Sequence, residues 1–321
     1  MQHAKRVGVA LFLCNVSTAA LAAESYPVRP VRLVVPFAPG GPSDIIGRFL
    51  AQKLTETLGQ SVVVDNRGSA GGIVGFEIAA KAVPDGYTLL LGGGSGLTQN
   101  PSLYLKLPYD AIRDLQPITQ LTNGANLLSV HPSVQAKSVQ DLIALAKAKP
   151  GQINFASAGT GNRLASELFK IQAGLDIVNV PYKGTGQAIT DLVGGQVQMM
   201  MINTIAALPQ VKAGKLRGLA VTTLKRSTVL PETPTMAESG LPAFEVNSWH
   251  GFFGPAKLPP SMVARLNADM VKILNSPEVK ERFASVGVEP VGSSPQELAA
   301  YIRSETAKWA KVIKQAGIKP E

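Results

Sequence analysis

Repeatedly along this chain a short β-branched run passes straight into a glycine-rich loop and then into an amphipathic stretch. VRLVVP leads through FAPGGPSD (37–44) into IIGRFLAQKLTETLG; INFASAGTG leads into NRLASELFKIQAG; DIVNVPYKGTG leads into QAITDLVGG. Strand, tight turn and helix in that order build parallel sheets with crossover helices, so the order predicts an α/β fold. SVVVDN, GSAGG and IVGFEIAAKAV repeat the pattern, and DGYTLLLGG returns as a strand. After QPITQL it starts afresh with LLSVHPS. Ser138, with Asp141 three residues on, then caps a helix that Pro150-Gly151 stops.

The last part reads as helix. Val263, Leu266, Met270 and Ile273 fall at helical spacing, and Ser294, Pro295 and Glu297 form a start signal for another helix. That helix carries Leu298, Ile302, Trp309 and Val312 on one side and ends at Gly317. A helical tail after two α/β units has to pack on something. Covering the first unit is the economical arrangement and makes that domain discontinuous. The expected division is residues 24–122 with 224–321 as domain 1 and residues 123–223 as domain 2. No internal repeat or low-complexity segment interrupts it.

The N-terminus has a different character. MQHAKR is basic, VGVALFLCNVSTAALA is apolar, and Ala20-Leu21-Ala22 offers small residues for cleavage. This is the layout of a secretory signal peptide over residues 1–23, cut near Ala22 or Ala23, and it predicts a periplasmic protein. A membrane anchor fits less well, because the stretch is short and contains Asn15, Ser17 and Thr18. Lipid attachment at Cys14 would need a small residue where Leu13 stands. Cleavage removes the single cysteine, so the mature chain has neither disulfide nor thiolate ligand. Hydrophobic residues make up 45% and charged ones 17%, which favours a packed core over disorder. The formal charge of +9 falls by two with Lys5 and Arg6. The remaining basic residues are scattered, which suits small anions and not nucleic acid.

Phosphate and catalytic motifs fail on detail. FAPGGPSD lacks the Gly-Lys-Ser/Thr ending of a P-loop, and GTGNRL puts Leu164 where a dinucleotide fingerprint needs glycine. His131 and His250 are the histidines of the mature chain, and neither has metal-ligand spacing. His131 reads as structural or exposed, while His250, beside Trp249, is the better pocket candidate. GGGSG places Ser95 among glycines without the spacing of a nucleophile elbow. What remains is anion binding at helix N-termini, where unpaired backbone N–H groups and the helix dipole favour a carboxylate. FAPGGPSD, ASAGTGN and YKGTG all have this form, although glycine-rich turns also serve as plain tight connections. Asp44 would repel a bound carboxylate, so Asp44 or Ser43 is expected to cap the helix, with the other available to the ligand. Lys183 is either a cation for the ligand or an exposed loop lysine. Trp249 either lines the cleft or packs beneath the return between domains.

The ordered series YPVRPVRLVVPFAPGGPSDIIGR, DNRGSAGGIVGFEIAAKAVPDGYTLLLG, NFASAGTGNRLASELF, VPYKGTGQAITDLVGGQV and SWHGFFGPAKLP resembles the Bug family of periplasmic substrate-binding proteins. These are associated with tripartite tricarboxylate transporters, and the resemblance runs from Tyr26 almost to the C-terminus. It implies a two-domain flytrap (type II) binding-protein fold, no enzymatic activity, no cofactor, and a small organic carboxylate held between the domains of a monomer. It also implies that Phe37, Ala38, Pro39, Gly40, Gly41, Ser43 and Asp44 surround one carboxylate. Domain-two contacts then fall at Ser157, Ala158, Gly159, Thr160 and Gly161, and at Lys183, Gly184 and Thr185. Ser95 and Asn203 complete the candidate set. Many relatives carry acidic residues where Ile202 and Gln198 stand; their absence argues against an amino-acid ligand if position 202 lines the cleft. The partner is a membrane permease or, alternatively, a sensor kinase. A remaining rival is an exported hydrolase using Ser95 or Ser157 with His250.

Overall fold

The computed structural model describes residues 26–320, so the leader assigned to residues 1–23 lies outside the described residues. The first half runs β1 (Val31–Val35), α1 (Pro42–Leu58), β2 (Val62–Asn66), α2 (Ile73–Ala80), β3 (Thr88–Gly93) and the short α3 (Asn100–Leu103). β1 pairs in parallel with both β2 and β3, as the strand–loop–helix order demands. Gly59 closes α1 in the left-handed conformation that a helix end favours.

β4 (Leu115–Val130) is the hub. Its residues from Leu115 to Ala125 pair antiparallel with β9, and those from Asn126 to Val130 pair with β7 and β8. Between them the chain makes α4 (Val139–Ala148), β5 (Asn154–Ser157), α5 (Thr160–Ala173), β6 (Val178–Pro181), α6 (Thr185–Val193), β7 (Met199–Asn203), α7 (Thr204–Lys212), β8 (Arg217–Val221) and β9 (Asn247–Pro255). The chain closes with α8 (Pro260–Asn275), α9 (Pro277–Ala284), β10 (Val288–Pro290) and α10 (Pro295–Gln315). The strand order is β2-β1-β3-β9-β4-β7-β5-β6, with β8 and β10 also on β4. Irregularities at Pro117/Thr119, Gln120/Thr122 and Leu128/Ser129 bend and twist β4, which lets one strand serve two differently oriented half-sheets.

Helices cover both faces of each half. Leu33, Leu50 and Leu266 fill one side of the first half, and Phe76, Trp249, Phe253 and Leu298 fill the other. In the second half, Phe155, Leu164 and Phe169 pack on one side and Ala156, Leu192 and Met200 on the other. The segment between β8 and β9 sends Met236, Leu241 and Phe244 into the cluster around Phe155.

The capping signals read from the sequence form as expected. Ser138 Oγ accepts from Asp141 N–H at 3.1 Å. Ser294 Oγ accepts from Glu297 N–H at 3.2 Å, while Glu297 Oε2 accepts from Ser294 N–H at 2.8 Å. The placement of α10 differs from the expectation that the tail covers the first unit alone. Leu298 and Ile302 pack with Trp249 and Phe253, but Trp309, Val312 and Ile313 join the cluster of Phe155 and Phe169. With 21 residues at ~1.5 Å each, α10 is long enough to straddle both cores. Trp309 Nε1–H donates to the buried Glu305 carboxylate at 3.0 Å, so the ring is both packed and hydrogen-bonded.

Trp309→Ala is expected to destabilise the protein by about 3–5 kcal/mol, the usual cost of emptying a buried aromatic site. Urea unfolding measures it. A loss below about 1 kcal/mol, the size of an ordinary surface effect, would show that the far half of α10 is not held by that core.

Candidate ligand-binding cleft

Register points the C-terminal ends of both parallel strand sets at one another across residues 122–126 of β4. β3 ends at Gly93 opposite His250, close to the start of β9, where Asn247 faces Ala125. β7 ends at Asn203 opposite Asn126. Loops that follow parallel strands at such an edge converge, and in α/β proteins that edge is where ligands sit.

The loop at residues 37–44 is held from within. Gly40 has φ +80°, a conformation suited to glycine, and Gly41 is the N-cap of α1 with Pro42 in the first turn. Asp44 Oδ2 accepts from Gly40 N–H at 2.9 Å and from Arg48 Nε at 3.0 Å. Arg48 also donates to Asn66 Oδ1 at 3.1 Å, and Asn66 Nδ2 donates to the Phe37 carbonyl at 3.1 Å. Burial pushes the Asp44 carboxyl upward, but the hydrogen bonds from Gly40, Arg48 and Asn66 outweigh it and leave the group below its ordinary value. Asp44 therefore neither caps α1 in the usual way nor opposes a ligand; it closes the loop on itself. The Gly40 N–H is spent on it. The N–H groups of Asp44 and Ile45 both donate to the Gly41 carbonyl at 3.0 Å, so the N–H groups of Gly41 and Ser43 are the first-turn donors left for an anion. Phe37, Ala38 and Pro39 supply the rim. Gly68 lies under it, where a side chain would meet Ala38 N at 3.1 Å.

Ser43 does not cap α1 either. Its Oγ lies 3.0 Å from His250 Nε2, and His250 Nδ1 lies 2.9 Å from Thr122 Oγ1, with all three residues buried. Burial pushes the imidazole down to about 4, so it is neutral near pH 7. The pairing of His250 with Ser95 or Ser157, which a hydrolase would need, does not form: both ring nitrogens face other hydroxyls. His131 has the expected structural role, its Nδ1 lying 2.7 Å from Ser133 Oγ.

Ser95 opens a single wide turn, Ser95–Gln99, directly after β3. Gly96 is obligatory there, because a side chain would meet the Phe76 ring at 1.9 Å, and Gly94 lies beside the Trp249 indole. Trp249 is buried and stacks edge-on with Tyr301 at 5.2 Å, so it packs beneath the return between halves and does not line the cleft. Gln99, a residue the sequence reading did not single out, is buried at the end of this turn. Its Oε1 has no hydrogen-bond partner and lies 3.9 Å from where a Gly161 side chain would begin. It thus joins the first half to the start of α5. The signal available in the sequence was an amide placed just past the glycine run that ends a strand.

On the second half, Gly159 (φ +119°) is the N-cap of α5 and Gly184 that of α6; neither helix has a side-chain cap or an acidic residue in its first turn. Thr160, Gly161, Ala158 and Thr185 are half-buried there, and Lys183 is exposed. Ser157 is buried and its carbonyl accepts from Tyr182 N–H at 2.8 Å, tying the two loops together. Asn203 is largely committed: Oδ1 caps α7 by accepting from Ile205 N–H at 3.0 Å, and Nδ2 donates to Ser248 Oγ at 2.6 Å. Ile202 is fully buried among Leu127, Ala156 and Met200, so it does not line the cleft and says nothing about a ligand amine. Gln198 accepts from Asn154 N–H at 2.9 Å, at the start of β5 and away from the cleft. Among the described residues, no group of three or more histidine, cysteine, aspartate or glutamate side chains is placed to hold a metal ion, and no helix is long and apolar enough to cross a membrane.

The chain is similar to known proteins over nearly its whole length. The protein BugT of Bordetella pertussis is 38% identical over 315 residues, covering 97% of this chain and 97% of BugT. The structure of Rpa4515 from R. palustris with adipate superposes with a TM-score of 0.89 at 38% identity, covering 92% of this chain and all of that one. MatC from Rhodopseudomonas palustris with bound malate gives 0.83 at 32% identity, covering 90% of this chain and all of that one. The fold is the two-lobed α/β fold of periplasmic binding proteins. The model of the tripartite tricarboxylate transporter family receptor matches residues 46–318, and the chain belongs to that family.

Proposed function

We propose that this protein is a periplasmic receptor that encloses a small carboxylate between its halves and delivers it to a tripartite tricarboxylate transporter permease. The observation that carries the reading is that the glycine-capped N-termini of α1, α5 and α6 follow strands of two parallel sets whose C-terminal ends face one another across β4. Asp44, the one acid in their first turns, is already neutralised by Arg48. A ligand anion there gains charge-assisted hydrogen bonds, each contributing ~1.5–3 kcal/mol. The adipate and malate bound by the two related structures support a ligand with a carboxylate at each end.

One carboxylate meets the Gly41 and Ser43 N–H groups, and the other end meets the turn at Gly159–Gly161 and the Lys183–Thr185 loop. Closure is ligand-driven, because only the closed form offers donors from both halves to one molecule. The moving lobes are residues 26–122 with the chain from β9 onward, against residues 123–246. The packing of Met236, Leu241 and Phe244 with Phe155 supports a second crossing at the start of β9 in place of 223/224.

Thermal unfolding of the mature protein with succinate, malate and adipate tests the reading. A ligand at 100 times its Kd adds about 2.7 kcal/mol, which raises Tm by several degrees. Native mass spectrometry of protein purified without denaturation would identify a retained acid. A folded protein that none of a broad set of carboxylates stabilises would defeat the proposal.

Asp44 makes a separate prediction. Its folded pKa lies below the unfolded value of about 3.9, so its ionised form stabilises the fold above that pH. The contribution is lost as pH falls through the folded value. The stability difference between wild type and Asp44→Asn, from urea midpoints, is expected to stay level above about pH 5 and to narrow below about pH 4. A difference that did not change with pH would show that the charge on Asp44 is not what closes the loop.

A further inference from the structure

The Ser43–His250–Thr122 chain is not needed to hold α1 on the sheet, since Ile46, Leu50 and Leu54 already bury that helix. It does control the direction of one hydrogen bond at the cleft. A neutral imidazole carries one N–H, so His250 either accepts at Nε2 from the Ser43 hydroxyl or donates there to its oxygen. The two arrangements present opposite polarity. If Nε2 accepts, the Ser43 proton is turned inward and only its lone pairs remain for an incoming anion. If Nε2–H donates, Nδ1 accepts the Thr122 proton and the Ser43 proton is free to turn outward. His250 has no carboxylate among its hydrogen-bond partners and is neutral by burial, so a shift of tautomer costs no charge.

We propose that His250 is a positioning residue for the ligand carboxylate: in the bound protein Thr122 Oγ1–H donates to Nδ1, Nε2–H donates to Ser43 Oγ, and Ser43 Oγ–H donates to the ligand. The proposal rests on the receptor reading above and adds a side-chain donor to the backbone donors of the loop at 37–44. Thr122 belongs to β4 and His250 to β9, the strands that carry the chain between halves. The donor is therefore referenced to the crossing and not only to its own loop. Ser43 sits in the first turn of α1, where the dipole already favours an anion, so the hydroxyl and the helix act in the same direction.

The test begins with the wild-type protein and whichever of succinate, malate or adipate stabilises it. Nitrogen-15 NMR of the His250 ring reports which nitrogen carries the proton, and protonation at Nε2 alone in the bound state is expected. Calorimetric titration of variants follows. Ser43→Ala and His250→Phe should each weaken binding by about 10- to 100-fold, the value of one charge-assisted hydrogen bond. The double variant should be no weaker than Ser43→Ala alone, since His250 acts on the ligand only through the Ser43 hydroxyl. His250→Gln, whose amide can still donate to Ser43, should recover part of the affinity that His250→Phe loses. A proton on Nδ1 in the bound state overturns the proposal, and so do losses that simply add. Those failures are distinguishable from failure of the receptor reading, in which the wild type itself binds none of the acids and the inference falls with it. The NMR result stands even if a variant does not fold.

Discussion

One strand belongs to two sheets, and most of the architecture follows from that. A β-strand has two edges, and β4 uses both twice: β9 and β10 along its first part, β7 and β8 along its second. Two α/β units sharing a backbone in this way cannot be arranged independently. The register of β4 with β9 sets the level of Gly93, its register with β7 sets the level of Asn203, and so the ends of β3 and β7 face one another across residues 122–126 of β4. The bulges along β4 absorb the difference in twist between the two halves.

What gathers at that level is positive potential without a matching side chain. The α1, α5 and α6 N-termini have no conventional side-chain caps, a condition that leaves backbone donors unpaired and costs stability unless something else satisfies them. On the proposed reading, Asp44 would not compete with a ligand at this loop. The carboxylate satisfies Gly40 and is itself satisfied by Arg48, so the atoms that hold the loop are separate from the N–H groups proposed to bind an anion. Ordinary capping of α5 or α6 by aspartate would have stabilised the helix and repelled a carboxylate.

Much of this was legible in the sequence because it depends on local chemistry. Glycine positions, Ser-x-x-Asp/Glu caps and β-branched runs are set by neighbouring residues, and the elements and glycine-rich loops follow from them. Destinations of side chains across the sheet were not legible. Ser43 and His250 are 207 positions apart, and only the register of β3, β4 and β9 brings them together. Whether Ile202 and Trp249 line the cleft stayed open in the sequence; strand alternation turns each into a core. Gln99 stands just past a glycine run that ends a strand, but only the folded turn shows that its amide reaches the start of α5. The reach of α10 was missed for a related reason: its apolar stripe shows that it is covered along one side, not by what.

If the halves open and close as proposed, that helix is a second determinant of the motion. Its N-terminal turns are bedded with Trp249 and its C-terminal turns with Phe155, so it acts as a splint laid across the joint. Halves that part must either bend the splint or lift one of its ends out of a close-packed bed, exposing apolar surface in proportion to the angle. The resting position is therefore spring-loaded by burial far from the anion loops. Variation along the last helix would retune how readily the trap opens while leaving untouched every group that recognises what it catches.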